Sequence, residues 1–234
     1  MSCIWPILSL ILSAPSLATL ENDPFVPFSA PGSVYTSVAS LLVSLIRQRR
    51  DLIVHFLPHL THALNRLLFA LRVSREGLNL GRKQRQRVAT DRPKWLVGKD
   101  ISLIPLGAEE AKSLARVLTS MTAKTSVRET RGRGTSQPPG MMESLVKPFS
   151  KHAGYVLIAY INAIIGDSLL TIPRTSRIAL EDGIFALCEA VSGGKSGGGD
   201  FGRDWVMDQL SPDGQKIMKD LWASYEKQKY VGRG

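Results

Sequence analysis

The sequence predicts an all-α protein of paired antiparallel helices, α-solenoid-like, with long basic and glycine-rich loops between them. Apolar residues recur at helical spacing in several separate windows. No window gives a convincing strand. The periodic windows come in adjacent pairs divided by turn-forming residues, as in stacked helical hairpins. No repeat is visible in the sequence itself, so the stacking expectation rests on helix pairing alone.

Residues 21–32 carry three prolines and a glycine and read as a loop. From Ser33 the pattern turns helical, with Val34, Val38, Leu41, Leu42 and Leu45 on one face. After Arg49-Arg50-Asp51 a second stripe runs through Ile53, Phe56, Leu57, Leu60, Leu64, Leu67, Leu68 and Leu71. Pro58 either kinks this second helix or sits near its start, because proline lacks the amide a helix interior needs. Two antiparallel helices of about 15–20 residues fit.

Periodicity then fades over 74–105, which reads as a basic loop with little fixed structure. A helix at about 107–122 is striped by Ala111, Leu114, Ala115 and Leu118, and a linker containing Arg131-Gly132-Arg133-Gly134 and Pro138-Pro139-Gly140 follows. Residues 150–166 are apolar nearly all round, as suits a helix buried on most sides. Thr171-Ile172-Pro173 marks a helix start. Leu180, Ile184, Leu187, Cys188 and Val191 line the helix that follows, to about residue 192. Gly193 to Gly199 is a glycine-rich loop, and a short helix is expected around 203–210. Ser211-Pro212-Asp213 supplies an N-cap, a first-turn proline and a first-turn acid for the last helix. That helix is striped by Ile217, Met218, Leu221, Trp222 and Tyr225. The segments are therefore 1–32, an apolar segment and loop; 33–73, a helix pair; 74–106, a basic loop; 107–122, a helix; 123–148, an Arg-Gly/Pro linker; and 149–232, a C-terminal helical domain.

With 234 residues and 44% hydrophobic content, the chain can bury a sizeable core. That composition excludes a wholly disordered chain, a collagen and a disulfide scaffold. Two cysteines, Cys3 and Cys188, lie far apart without metal-ligand spacing, which fits a reducing compartment. The net charge is +10, and it is localised: residues 41–99 hold 13 Lys and Arg against 3 acids. Such a concentration points to an anionic partner. Arg82, Lys83, Arg85, Arg87, Arg92 and Lys94 surround Trp95, a combination suited to phosphates and to stacking on an unpaired base. Arg131 and Arg133 add a short Arg-Gly element. These nine residues are the candidate RNA contacts.

Other constellations point to no active site. Gly194-Lys195-Ser196 lacks the upstream glycine and the preceding strand of a phosphate loop. His55, His59 and His62 share roughly one helix face, but no cysteine or carboxylate cluster joins them. Glu109-Glu110 and Glu181-Asp182 are sequence neighbours, so each pair diverges on a helix. Cys188 falls in an apolar stripe and reads as a small hydrophobe. No cofactor, metal or small-molecule substrate is expected. The run at 4–12, IWPILSLIL, is too short for a membrane span and lacks a preceding basic residue. A secreted or membrane-associated helical protein directed by that run is the alternative class.

The C-terminal third carries Lys151-His152-Ala153, Tyr155, Tyr160-Ile161 and the run Arg177 to Leu187, which includes Gly183 and Phe185. Met207, Leu210, Asp213-Gly214, Ile217-Met218-Lys219, Leu221, Tyr225 and Lys229-Tyr230-Val231-Gly232 follow in order. Upstream stand Leu45-Ile46-Arg47, Arg49-Arg50-Asp51-Leu52, Leu57-Pro58, Ala111 and Arg116-Val117-Leu118-Thr119. This ordered set resembles the C-terminal domain of the nucleolar family called unhealthy ribosome biogenesis protein two, or nucleolar preribosomal-associated protein two. The likeness covers most of 40–232 and is strongest from about 150. Members of that family are very long helical-repeat proteins, so the chain would correspond to the tail of one. The resemblance implies a non-enzymatic scaffold in the nucleus and nucleolus that supports processing of large-subunit precursor rRNA. It implies pre-ribosomal assembly factors and pre-rRNA as partners, with no membrane. Its residues of structural interest are Arg49, Arg50, Asp51, Pro58, Tyr160, Gly183, Phe185, Leu187, Leu221, Tyr225, Tyr230 and Gly232.

Overall fold

Helices account for most of the computed structural model, which describes residues 31–75, 81–90, 92–97, 104–123, 145–166, 169–193 and 202–231. Among these residues there are nine helices: α1 (Pro31–Gln48), α2 (Arg50–His55), α3 (Leu57–Ala70), α4 (Arg82–Thr90), α5 (Ala108–Thr122), α6 (Val146–Ile165), α7 (Arg174–Gly193), α8 (Arg203–Asp208) and α9 (Pro212–Val231). The all-α class is as expected. The apolar N-terminal run, the Arg-Gly element, the glycine-rich loop 194–200 and Gly232 lie outside the described residues.

Local chemistry places most boundaries. Pro58 stands in the first turn of α3, where a missing amide costs nothing, and the chain breaks at Phe56 rather than kinking mid-helix. Arg49 and Asp51 form an exposed ion pair of 3.1 Å across the α1–α2 junction, and Arg50 Nε donates to Ile46 O. Glu110 opens α5 by accepting a hydrogen bond from Gly107 N at 2.7 Å. Ser211 Oγ accepts from Gly214 N at 3.3 Å, the N-cap bond expected of Ser211-Pro212-Asp213. Gly166 ends α6 with a φ of 30°, a conformation that side chains rarely adopt.

The packing joins segments distant in sequence. α6 and α7 form an antiparallel hairpin, whereas α1 packs chiefly on α5 and α3 on α6. The most extensive interface is between α5 and α7. Tyr35, near the start of α1, donates its hydroxyl to Leu67 O near the end of α3 at 3.2 Å. Phe149, Leu157, Ile161, Leu180, Ile184 and Leu187 form the middle of one continuous apolar core. Tyr160, Phe185 and Tyr225 belong to it, Leu221 packs against it half-buried, and Tyr230 is 71% exposed.

Two expectations are corrected. A short antiparallel pairing, β1 (Val73–Ser74) with β2 (Leu170–Thr171), ties the end of α3 to the α6–α7 turn, with Val73 opposite Thr171. Two-residue strands are too short to show alternation, which is why the sequence gives no sign of them. The basic stretch 74–106 is also more ordered than a loop: it contains α4 and a 3-10 turn, Lys94–Leu96.

The α5–α7 interface depends on Gly183. A Cβ there would fall 2.7 Å from Ala115 Cα and 3.1 Å from Ala115 O, both backbone atoms that cannot step aside. Gly183→Ala is therefore expected to lower stability by about 1–3 kcal/mol despite alanine's better helix propensity. Gly193→Ala, where a Cβ meets nothing within 4 Å, should stay within about 0.5 kcal/mol of the parent in denaturant melts. Phe185→Ala, which removes a ring 8% exposed and 6.1 Å from Tyr225, should cost about 3 kcal/mol in the same assay.

Candidate nucleic-acid interface

α4 has the sequence RKQRQRVAT. Periodicity misses it because a helix is normally recognised by its apolar stripe, and this one has almost none. Propensity is the signal that finds it: arginine, lysine and glutamine are good helix formers, and the run contains no glycine or proline. Gln84 Oε1 accepts from Gly81 N at 3.2 Å, closing the first turn.

Arg82, Lys83, Arg85 and Arg87 are all exposed on this one helix. Nothing acidic stands in α4 to pair with them along the helix. Arg82 and Lys83 occupy the first turn, where the helix dipole disfavours positive charge. A helix shaped for stability alone would place acids there. The arrangement sets four cationic side chains close together at the surface.

A nine-residue helix with so little apolar surface is marginal by itself. Its anchor lies in its last turn and just beyond. Val88 and Ala89 are buried, Arg92 N donates to Ala89 O at 3.2 Å, and Leu96 is fully buried in the core. Trp95 meets Tyr35 edge-on, with ring centroids 6.5 Å apart.

This geometry corrects two of the candidate contacts. Trp95 is 9% exposed and packed in the core, so it offers no face to an unpaired base. Its apolar area draws it inward, and its work is to fasten the basic segment to α1. Arg92 is 1% exposed and equally out of reach of a surface ligand. Burial, reinforced by the nearby Arg72 charge, pushes the Arg92 guanidinium down to about 10, so it remains a cation at neutral pH. The turn places the Lys94 backbone beside Trp95, while Arg131 and Arg133 lie outside the described residues. Of the nine candidates, the structure brings Arg82, Lys83, Arg85 and Arg87 together at the surface.

His55, His59 and His62 are exposed, and no group of three or more His, Cys, Asp or Glu among the described residues is placed to hold a metal. Cys188 is buried in the core, which pushes its thiol up to about 12. Two open clefts flank α7. One, of about 600 Å³, lies between α5, α7 and α9 and includes Asp182, Phe185, Glu189 and Tyr225. The other, of about 410 Å³, includes Ile178, Ile184, Leu221 and the charges of Arg177, Glu181 and Asp220.

A family model described as the Urb2/Npa2 family matches residues 1–233, nearly the full length. The chain belongs to the Urb2/Npa2 family. Searches of curated proteins and of solved structures gave no match. Membership implies a role for this Urb2/Npa2 chain in ribosome biogenesis and rRNA processing, and hence in the nucleus. No helix among its described residues is long and apolar enough to cross a membrane.

Burial of Trp95 yields a test that separates anchoring from stacking. Trp95→Ala should lower stability by about 3–5 kcal/mol in denaturant unfolding. The folded fraction should bind single-stranded RNA as tightly as the parent.

Proposed function

We propose that this chain is a non-enzymatic nucleolar assembly factor of early large-subunit biogenesis. It acts as a helical scaffold that supports precursor-rRNA processing and contacts the RNA through α4. Its other partners are pre-ribosomal assembly factors. The observation that carries this proposal is the exposed cluster of Arg82, Lys83, Arg85 and Arg87 on a helix without acids, in a member of the Urb2/Npa2 family. The scaffold role is supported by the two open clefts beside α7 and by the exposed apolar side chains Ile178 and Tyr155.

Affinity purification of the tagged chain from its own cells tests the assignment. Enrichment of large-subunit rRNA precursors and of pre-ribosomal proteins is expected, and enrichment of neither would overturn it. Direct contact is tested on the purified protein. Replacing Arg82, Lys83, Arg85 and Arg87 by Ser should weaken binding to single-stranded RNA while leaving core stability intact. The slope of log affinity against log salt should become shallower by about 3, as expected for four lost phosphate contacts. An unchanged slope would remove α4 from the interface.

A further inference from the structure

The smaller cleft beside α7 carries an ordered set of charges around an exposed apolar side chain. Arg174 and Arg177 stand in the first turn of α7, Ile178 follows, and Glu181 comes one turn later. All four line the cleft, as does Asp220 across it on α9. The four charged side chains are exposed. Ile178 is 61% exposed, and Ile217 and Leu221 lie half-buried in the same cleft. An apolar centre within a charged rim is the anatomy of an interface. The helix itself makes poor use of these charges. Arginines in a first turn oppose the helix dipole. Arg177 and Glu181 are four apart with the arginine first, the weaker order for pairing along a helix. Among the described residues no ion pair engages Arg174, Arg177, Glu181 or Asp220. α9 runs alongside α7 in the same direction. Gly214, near its start, lies against Ile165 at the end of α6, and Tyr225 Oη stands 3.4 Å from Ser192 Oγ near the end of α7. Asp220 therefore stands past Ile178, on the side of Glu181. The groove is basic at one end, apolar at its centre and acidic at the other.

We propose that this face binds the same face of a second copy of the chain, through a two-fold contact of α7 with α7 centred on Ile178. A two-fold interface sets one patch against itself, so the patch must complement its own image. This one does. Rotation about Ile178 lays the two α7 helices antiparallel. Arg174, four residues before the centre, then meets Glu181 of the other copy, three residues after it. Arg177 and Asp220 strengthen the same opposition, so the basic end of each copy faces the acidic end of the other. The two Ile178 side chains meet at the axis. A polyanion would be repelled by the acidic end and a basic peptide by the basic end, so a second copy fits better than either. α7 and α9 have 20 residues each, which makes them about 30 Å long. Side by side they present a face of about 600 Å² per copy. That is small for a specific interface, so the dimer is weak and depends on concentration. The inference does not rest on RNA contact by α4.

Sedimentation equilibrium of the full chain, freed of nucleic acid, tests the contact. The parent should pass from monomer to dimer between about 5 and 500 µM. Ile178→Asp should weaken association at least about tenfold, with an unchanged Tm because the side chain is exposed. Arg174→Glu with Arg177→Glu makes the face acidic throughout, and Glu181→Arg with Asp220→Arg makes it basic throughout. Each double variant alone should stay monomeric. An equimolar mixture of the two should dimerise, because opposite faces then meet. The proposal is overturned by a parent that stays monomeric throughout, or by a dimer that survives both double variants. It is also overturned by a mixture that fails to associate although both variants melt like the parent. A monomeric parent that holds a different protein through this face would make it a heterologous docking site, which contradicts the proposal as well. Should a double variant not fold, Ile178→Cys decides. Facing helices bring the two axial positions within disulfide reach, so mild oxidation should join copies through residue 178, as mapped by peptide mass spectrometry. The absence of that crosslink overturns the pairing.

Discussion

The close approach of α5 to α7 at Ala115 and Gly183 is the constraint on which the rest of the structure depends. The absence of one side chain lets the two backbones meet, and the broadest helix interface grows around that point. α5 then positions α1, which packs along it. Glu110 reinforces the register, because its carboxylate bonds the start of α5 and also lies against Gly32 at the start of α1. With α1 fixed, Tyr35 reaches Leu67 on α3 and receives the edge of Trp95. Trp95 in turn fastens the segment that carries α4. A path of ordinary packing contacts thus runs from a helix glycine to a cationic surface helix.

Along that path the chain separates two tasks. The helices from α5 onward, with α1 and α3, bury the apolar residues and form the frame. α4 contributes little to the core and most of its side chains are charged or amide groups facing solvent. A family devoted to ribosome biogenesis works among polyanions, and a rigid helical frame displaying a cationic helix suits that setting. The frame sets where the charge is presented. The charge itself works at longer range and depends on salt.

Much of the frame was legible because burial of a helix leaves a periodic imprint. The stripes of α3, α5, α7 and α9 fell where expected, whereas in α1 Leu41 is 46% exposed and Tyr35, Ala39 and Ile46 join Val38 and Leu42 in the core; Pro58 and Ser211-Pro212-Asp213 marked starts that the structure bears out. What stayed hidden has specific causes. α4 has too few apolar residues to register by periodicity, although its helix-forming composition was available. A tryptophan within a basic stretch is equally compatible with stacking on a base and with anchoring the stretch, and the presence of Tyr35 across the fold decided for anchoring. The pairing of α1 with α5 joins residues about 70 positions apart, which local patterns do not encode. Nothing in the sequence distinguishes Arg92, which is 1% exposed, from the exposed Arg82, Arg85 and Arg87.

The central claim is that the charge of α4 meets RNA while the aromatic ring beside it faces the core. Photo-crosslinking of the full chain to bound single-stranded RNA, with the attached residues mapped by mass spectrometry, tests it most directly. The account predicts crosslinks within residues 82–87 and none at Trp95. Crosslinks at Trp95, or crosslinks confined to the faces of α7 and α9, would contradict it.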